Sequence, residues 1–160
     1  MSELMEGKVE WREGMTFAAT SGSGHSITLD AAPLAGGEER GPQPMELLLL
    51  GLGGCTGMDV VSILRKMRQD VTGYEVQVRG ERAADHPKVF THITVEHVIR
   101  GRNLSAEAIR RAVELSATRY CSAAAMLGTV AKIEESYRMI DVATGGEVKQ
   151  ATATAMSPTP

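Results

Sequence analysis

The hydrophobic pattern changes period twice along the chain. Lys8-Val9-Glu10-Trp11 alternates polar and apolar residues, as a half-buried strand does. Gly14 offers a turn into Met15-Thr16-Phe17-Ala18. Ser21-Gly22-Ser23-Gly24 offers a second turn, into His25-Ser26-Ile27-Thr28-Leu29. These runs predict a small antiparallel meander. Residues 33–44 hold three prolines and three glycines and predict a loop. Pro44 then stands where the first turn of a helix accepts it, and the period becomes helical from Met45 to about Arg68. The first half of this helix is apolar on every face and is expected to be buried on every face; the second half is amphipathic. Two alternating runs come next, Tyr74–Gly80 and Phe90–Ile99. Helices are then expected over Ala106–Thr118, with Ser105 as N-cap, and over Ser122–Val130, before a last strand from Ile133 to Ile140.

The predicted order is β-β-β-α-β-β-α-α-β. Strands grouped on each side of a helix fit an α+β fold rather than alternating βαβ units. A helix that is apolar all round is hard to cover in one domain of about 140 residues. A dimer that shares its central helices between two sheets would solve this. One domain over 1–142 is expected. The Ala-, Thr-, Gly-, Pro- and Ser-rich segment 143–160 reads as a flexible tail.

Composition narrows the function. The 160 residues carry 17 basic and 20 acidic side chains, a net charge of -3, with 4% aromatics. That argues against nucleic-acid binding by a basic or base-stacking surface. The longest apolar run, Leu47–Met58, reads as too short to cross a membrane, and the N-terminal residues lack a signal-like basic and apolar pattern. A cytoplasmic protein is expected. Two cysteines do not make a disulfide scaffold, so in a reducing compartment they are inert and buried, or reactive.

Cys55 lies in Gly53-Gly54-Cys55-Thr56-Gly57, among small residues on the long helix. Glycines in a helix interior cost about 1 kcal/mol each against alanine, so their clustering points to a close approach by a backbone or a substrate. A thiol becomes nucleophilic as the thiolate, which needs a nearby cation or helix end. No basic residue is close to Cys55 in sequence, leaving Arg40 or Arg12 as sources. The alternative is a buried cysteine acting as a small hydrophobe. Cys121 sits between two helices, where a helix N-terminus would favour its thiolate. The two sulfurs could form an attacking and resolving pair, although spacing cannot show that they meet. His25, His86, His92 and His97 have no zinc-site spacing, and no metal or other cofactor is expected.

Two stretches carry a family resemblance: Gly41-Pro42-Gln43-Pro44-Met45-Glu46-Leu47-Leu48 through Gly53-Gly54-Cys55-Thr56 and Asp59–Leu64, and later Leu115-Ser116-Ala117-Thr118-Arg119-Tyr120-Cys121-Ser122. Over about residues 8–141 the chain resembles the OsmC/Ohr superfamily of osmotically induced and organic-hydroperoxide-resistance proteins. Within it, Glu13–Phe17, Ser23-Gly24-His25 and Phe90–Ile93 resemble the YhfA-like subgroup. The resemblance implies an intertwined homodimer with two antiparallel sheets around central helices and active sites at the subunit interface. It also implies thiol peroxidase chemistry on organic hydroperoxides, with Cys55 peroxidatic, Cys121 resolving, and a dithiol such as a lipoyl protein as reductant. An arginine and a glutamate flank the thiol in the family. Here Met45 holds the place of that glutamate and Glu46 comes one residue later, a 100° turn on a helix. Arg40 and Arg12 both remain open as the arginine. A non-catalytic binding protein for an apolar ligand, and a thiol redox sensor, are the alternative readings.

Overall fold

The computed structural model describes residues 3–144 and 148–151. The chain forms two compact units, Met1–Leu48 and Leu49–Pro160.

In the first unit, β1 (Gly7–Glu13), β2 (Thr16–Ser21) and β3 (Ser26–Leu29) form the expected meander in the order β1-β2-β3, with both pairings antiparallel. The loop after β3 is folded around one buried carboxylate. Asp30 accepts backbone N–H bonds from Ala31, Glu38 and Arg40 at 2.8–3.1 Å. Those donors, the Arg40 N–H foremost, hold the Asp30 carboxyl below its ordinary range.

Helix α1 runs from Pro44 to Lys66, with proline at its first position as expected. Its fully covered side chains form a single stripe at four-residue spacing: Leu52, Thr56, Val60 and Leu64. The expectation of burial on all faces is therefore corrected. Leu48, Leu50 and Met58 are exposed, because a sheet covers only one side of a helix. The apolar run Leu47–Met58 lies inside a longer helix. By length and composition, the 23 residues of α1 are enough to cross a membrane, with a window of mean hydropathy 1.9 that is 28% buried. Glu46 and Asp59 bound the apolar run, and the helix continues through both.

The second unit holds β4 (Asp70–Arg82), β5 (Phe90–Arg102), α2 (Ala106–Leu115), α3 (Ser122–Leu127), β6 (Lys132–Asp141) and β7 (Val148–Ala151), with sheet order β4-β5-β6-β7. Ser105 caps α2 by accepting the Ala108 N–H at 3.2 Å. Val60 and Leu64 of α1 pack with Ile109, Ala112 and Val113 of α2 and with Ile99, Tyr137 and Met139 of the sheet.

Three details depart from expectation. The second sheet is mixed rather than antiparallel: β5 and β6 pair in parallel, because the α2–α3 connection carries the chain back to the end of the sheet where β5 began. The helix expected to Thr118 instead ends at Leu115 and continues as a π-helical turn over Ser116–Tyr120, closed by Cys121 N–H donating to Ser116 O at 2.9 Å. Part of the segment expected as a tail, Val148–Ala151, pairs with β6. Residues 143 and 144 of the expected tail end a 3-10 turn over Val142–Thr144, and 145–147 and 152–160 lie outside the described residues.

Candidate functional site

Cys55 occupies the middle of α1, one position before the buried stripe residue Thr56. The glycines around it let the helix run close over β4: a Cβ on Gly53 would stand 3.0 Å from a Val78 methyl, and one on Gly57 3.4 Å from a Val76 methyl. Beside this contact lies an apolar groove of about 500 Å³, walled by Leu49, Leu50, Gly54 and Met58 of α1 and by Tyr74 and Val78 of β4.

Cys121 is aimed by the π-helical turn. The extra residue in that turn rotates the next segment of chain, a device common at functional positions. Cys121 becomes the N-cap of the short α3, with its sulfur accepting the Ala124 N–H at 3.4 Å. It is buried, whereas Cys55 is half-buried, and both are free thiols.

The fold brings the two cysteines together, with a third group between them. The sulfurs of Cys55 and Cys121 and one carboxylate oxygen of Asp59 all lie within 4.8 Å of one another. Asp59 comes four residues after Cys55, one turn along the same face of α1. It is held by a chain of buried hydroxyls: Ser116 Oγ donates to Asp59 Oδ2 at 3.0 Å, and Thr56 Oγ1 lies 2.8 Å from Ser116 Oγ. Thr56 and Ser116 are fully covered. Asp59 also lines a second opening of about 370 Å³, with Ile63, Lys66, Leu115 and Tyr120.

The electrostatics oppose the expectation for Cys121. Burial pushes its thiol from an ordinary 9.0 up to about 12; the Ala124 hydrogen bond works the other way, while the neighbouring Cys55 and the Asp59 carboxylate add to the rise. The helix-end effect anticipated from the sequence is outweighed because the sulfur is desolvated beside an acid.

The remaining residues singled out from the sequence have other partners. Arg40 pairs with Glu13 and Glu38, which raise its pKa. Arg12 lies 3.8 Å from Glu10. Glu46 accepts the Gln43 N–H at 2.8 Å, closing the first turn of α1 as the acidic half of a capping box. Arg40 and Glu46 belong to the first unit. Asp59, Thr56 and Ser116 were not anticipated. The four-residue interval from Cys55 to Asp59 was the one sequence signal for them. His97, also unassigned, is buried with Glu135: its Nε2 lies 3.0 Å from Glu135 Oε2, and the Tyr74 hydroxyl lies 2.6 Å from its Nδ1.

A family model described as OsmC-like protein matches residues 36–136. The chain belongs to the OsmC-like family. Protein YhfA of Escherichia coli K12 is 44% identical over 136 residues, covering 85% of this chain and 98% of the relative. Among solved structures, a hypothetical protein from Aquifex aeolicus VF5 is 33% identical, with a TM-score of 0.76 over 86% of this chain and 97% of that one. An organic hydroperoxide resistance protein OsmC from Legionella pneumophila shares the fold at 14% identity, with a TM-score of 0.66 over 84% of this chain and 96% of that one. The OsmC-like fold thus carries both cysteines and their acidic neighbour in one unit.

Proposed function

We propose that this protein is a thiol-dependent organic hydroperoxide reductase, acting in the cytoplasm as a homodimer in defence against oxidative stress. The observation that carries this reading is the meeting of Cys55 and Cys121, from different elements, within 4.8 Å. A thiol pair at that separation needs a closure of a few ångströms to form a bond of about 2 Å.

In the proposed cycle, the half-buried Cys55 attacks as thiolate. Its sulfur bonds to the distal oxygen of a hydroperoxide as the O–O bond breaks, and the alkoxide takes a proton and leaves as an alcohol. Cys55 is then a sulfenic acid. The Cys121 sulfur attacks the Cys55 sulfur; the hydroxyl leaves with a proton as water, and a disulfide remains. Two thiol–disulfide exchanges with an external dithiol, of the lipoyl kind, return both thiols and oxidise the dithiol. The apolar groove beside α1 suits an organic hydroperoxide with an alkyl or aryl tail. Burial favours the protonated Cys121 at rest, which leaves the first attack to Cys55; Cys121 gives up its proton, which leaves with the hydroxyl as water, when it resolves the sulfenic acid.

The test is consumption of cumene hydroperoxide by the purified chain with dihydrolipoamide. Cys55→Ser is expected to abolish turnover. Cys121→Ser is expected to leave a sulfenic acid at Cys55 that dimedone traps. Unchanged consumption in Cys55→Ser overturns the reading. A second reading, a thiol redox sensor or a binding protein for an apolar ligand, draws on the carboxylate beside the thiols and on the engagement of Arg40 by Glu13 and Glu38. It predicts stoichiometric disulfide formation or ligand retention without turnover.

A further inference from the structure

We propose that Cys55, Asp59 and Cys121 form a three-ligand site for a thiophilic divalent cation, zinc above others, and that metal and disulfide exclude one another there. The inference uses the same sulfurs as the peroxide reading but does not require turnover.

The geometry fits a tetrahedral ion. Zinc–sulfur bonds of about 2.3 Å and zinc–oxygen bonds of about 2.1 Å set sulfur–sulfur separations near about 3.8 Å and sulfur–oxygen separations near about 3.5 Å. The three donor atoms already lie within 4.8 Å of one another, so each pair needs at most about 1.3 Å of closure to reach these separations. Two of the donors are one helical turn apart on α1. The third comes from the π-helical turn that follows α2, so the site is braced by two elements.

The carboxylate is oriented as a ligand usually is. Asp59 Oδ2 accepts a hydrogen bond from Ser116, and Ser116 contacts Thr56, both hydroxyls fully buried. Such outer hydrogen bonds set the direction of a ligating group and tune its affinity. Among the described residues Asp59 has no ion-pair partner, so its charge is not already neutralised. The opening of about 370 Å³ onto which Asp59 faces supplies an entry path and room for water at the fourth position.

The donor set selects the metal. Two sulfurs disfavour calcium and magnesium, which take oxygen ligands. One carboxylate with two thiolates suits zinc better than copper(I), which prefers all-sulfur sets. Binding displaces the thiol protons to solvent and leaves two thiolates on the ion. A disulfide has no thiolate to offer, hence the exclusion.

The test uses the full chain, reduced and stripped of metal, with cobalt(II) as a coloured substitute for zinc. The expected result is one cobalt per chain with a thiolate-to-metal charge-transfer band that zinc displaces. The band should disappear in Cys55→Ser and in Cys121→Ser. Affinity should fall about 10- to 100-fold in Ser116→Ala, which removes only the outer support. In the wild-type chain, where folding is not in question, zinc should protect both cysteines from N-ethylmaleimide, and diamide oxidation should abolish cobalt binding. No charge-transfer band in the reduced protein, a band that survives Cys121→Ser, or unchanged labelling of either cysteine in the presence of zinc overturns the proposal. Cobalt binding without peroxide consumption would sink the reductase reading and leave this one standing.

Discussion

Cys121 illustrates how a single position can be chemically available and thermodynamically costly. Its burial raises the folded-state pKa from 9.0 to about 12, with the neighbouring acid adding to the effect. In the unfolded chain the thiol ionises near its ordinary value. Between those two values the unfolded state therefore binds fewer protons than the native state, and stability must fall as pH rises. The contribution is fully present below about pH 9 and is lost progressively as pH approaches 12. Urea melts of reduced wild type and Cys121→Ala across this window should converge as pH rises; parallel curves would show that the thiol is not held protonated. Tyr74 makes a comparable case in the core. Its hydroxyl is hydrogen-bonded to His97 Nδ1, and His97 Nε2 in turn to Glu135, linking β4, β5 and β6. Tyr74→Phe leaves a buried ring nitrogen without its hydrogen-bond partner, and a loss of about 1–3 kcal/mol is expected in chemical denaturation. A loss below about 0.5 kcal/mol would mean that water replaces the phenol.

At the scale of elements, legibility followed locality. The three-strand meander, α1, the two long strands and the α2 cap were readable because each rests on neighbours in sequence: alternation, Pro44 at a first turn, Ser105 before an amphipathic run. The parallel pairing of β5 with β6 was not readable, since strand direction is settled by how a distant connection packs. The π-helical turn was not readable either. Nothing in Ser116–Tyr120 departs from ordinary helical composition, and the extra residue is tolerated because Ser116 gains buried partners in Thr56 and Asp59. The same division holds at the site. Both cysteines stood out in the sequence, while Asp59 looked like one more polar position on a helix until α2 was packed against it. Gly101 shows a non-local constraint of the same kind. A Cβ there would stand 2.2 Å from the Asp70 carbonyl oxygen on the paired strand. Backbone cannot yield as a flexible side chain does, so Gly101→Ala must open the β4–β5 ladder near its Val71 partner. A loss of at least about 1–3 kcal/mol is expected from thermal or urea unfolding, and a variant as stable as wild type would contradict this packing.

The molecule as a whole leaves the long helix half covered. Leu50 is 63% and Met58 77% exposed, on a helix whose sequence is apolar enough for a bilayer. Such a face is costly in water, since burying a leucine or methionine side chain contributes about 1.5–3 kcal/mol. The proposed homodimer would cover it with a second copy of the same helix. The charge pattern favours that occupant over lipid. Asp59 and the basic end Arg65-Lys66 lie on the same α1, and placing a carboxylate at membrane depth is expensive. In a two-fold dimer each substitution on this face acts twice. Met58→Asp should therefore weaken association by at least about 100-fold, from roughly 1.4 kcal/mol lost per copy. Sedimentation equilibrium of the wild type is expected to give a dimer, and Met58→Asp a monomer with an unchanged circular dichroism spectrum. Glu107→Gln, on the exposed first turn of α2, serves as the control and should remain dimeric. If the wild type is monomeric at micromolar concentration, or floats with lipid vesicles, the exposed face of α1 has another occupant and the groove beside it must be reinterpreted with it.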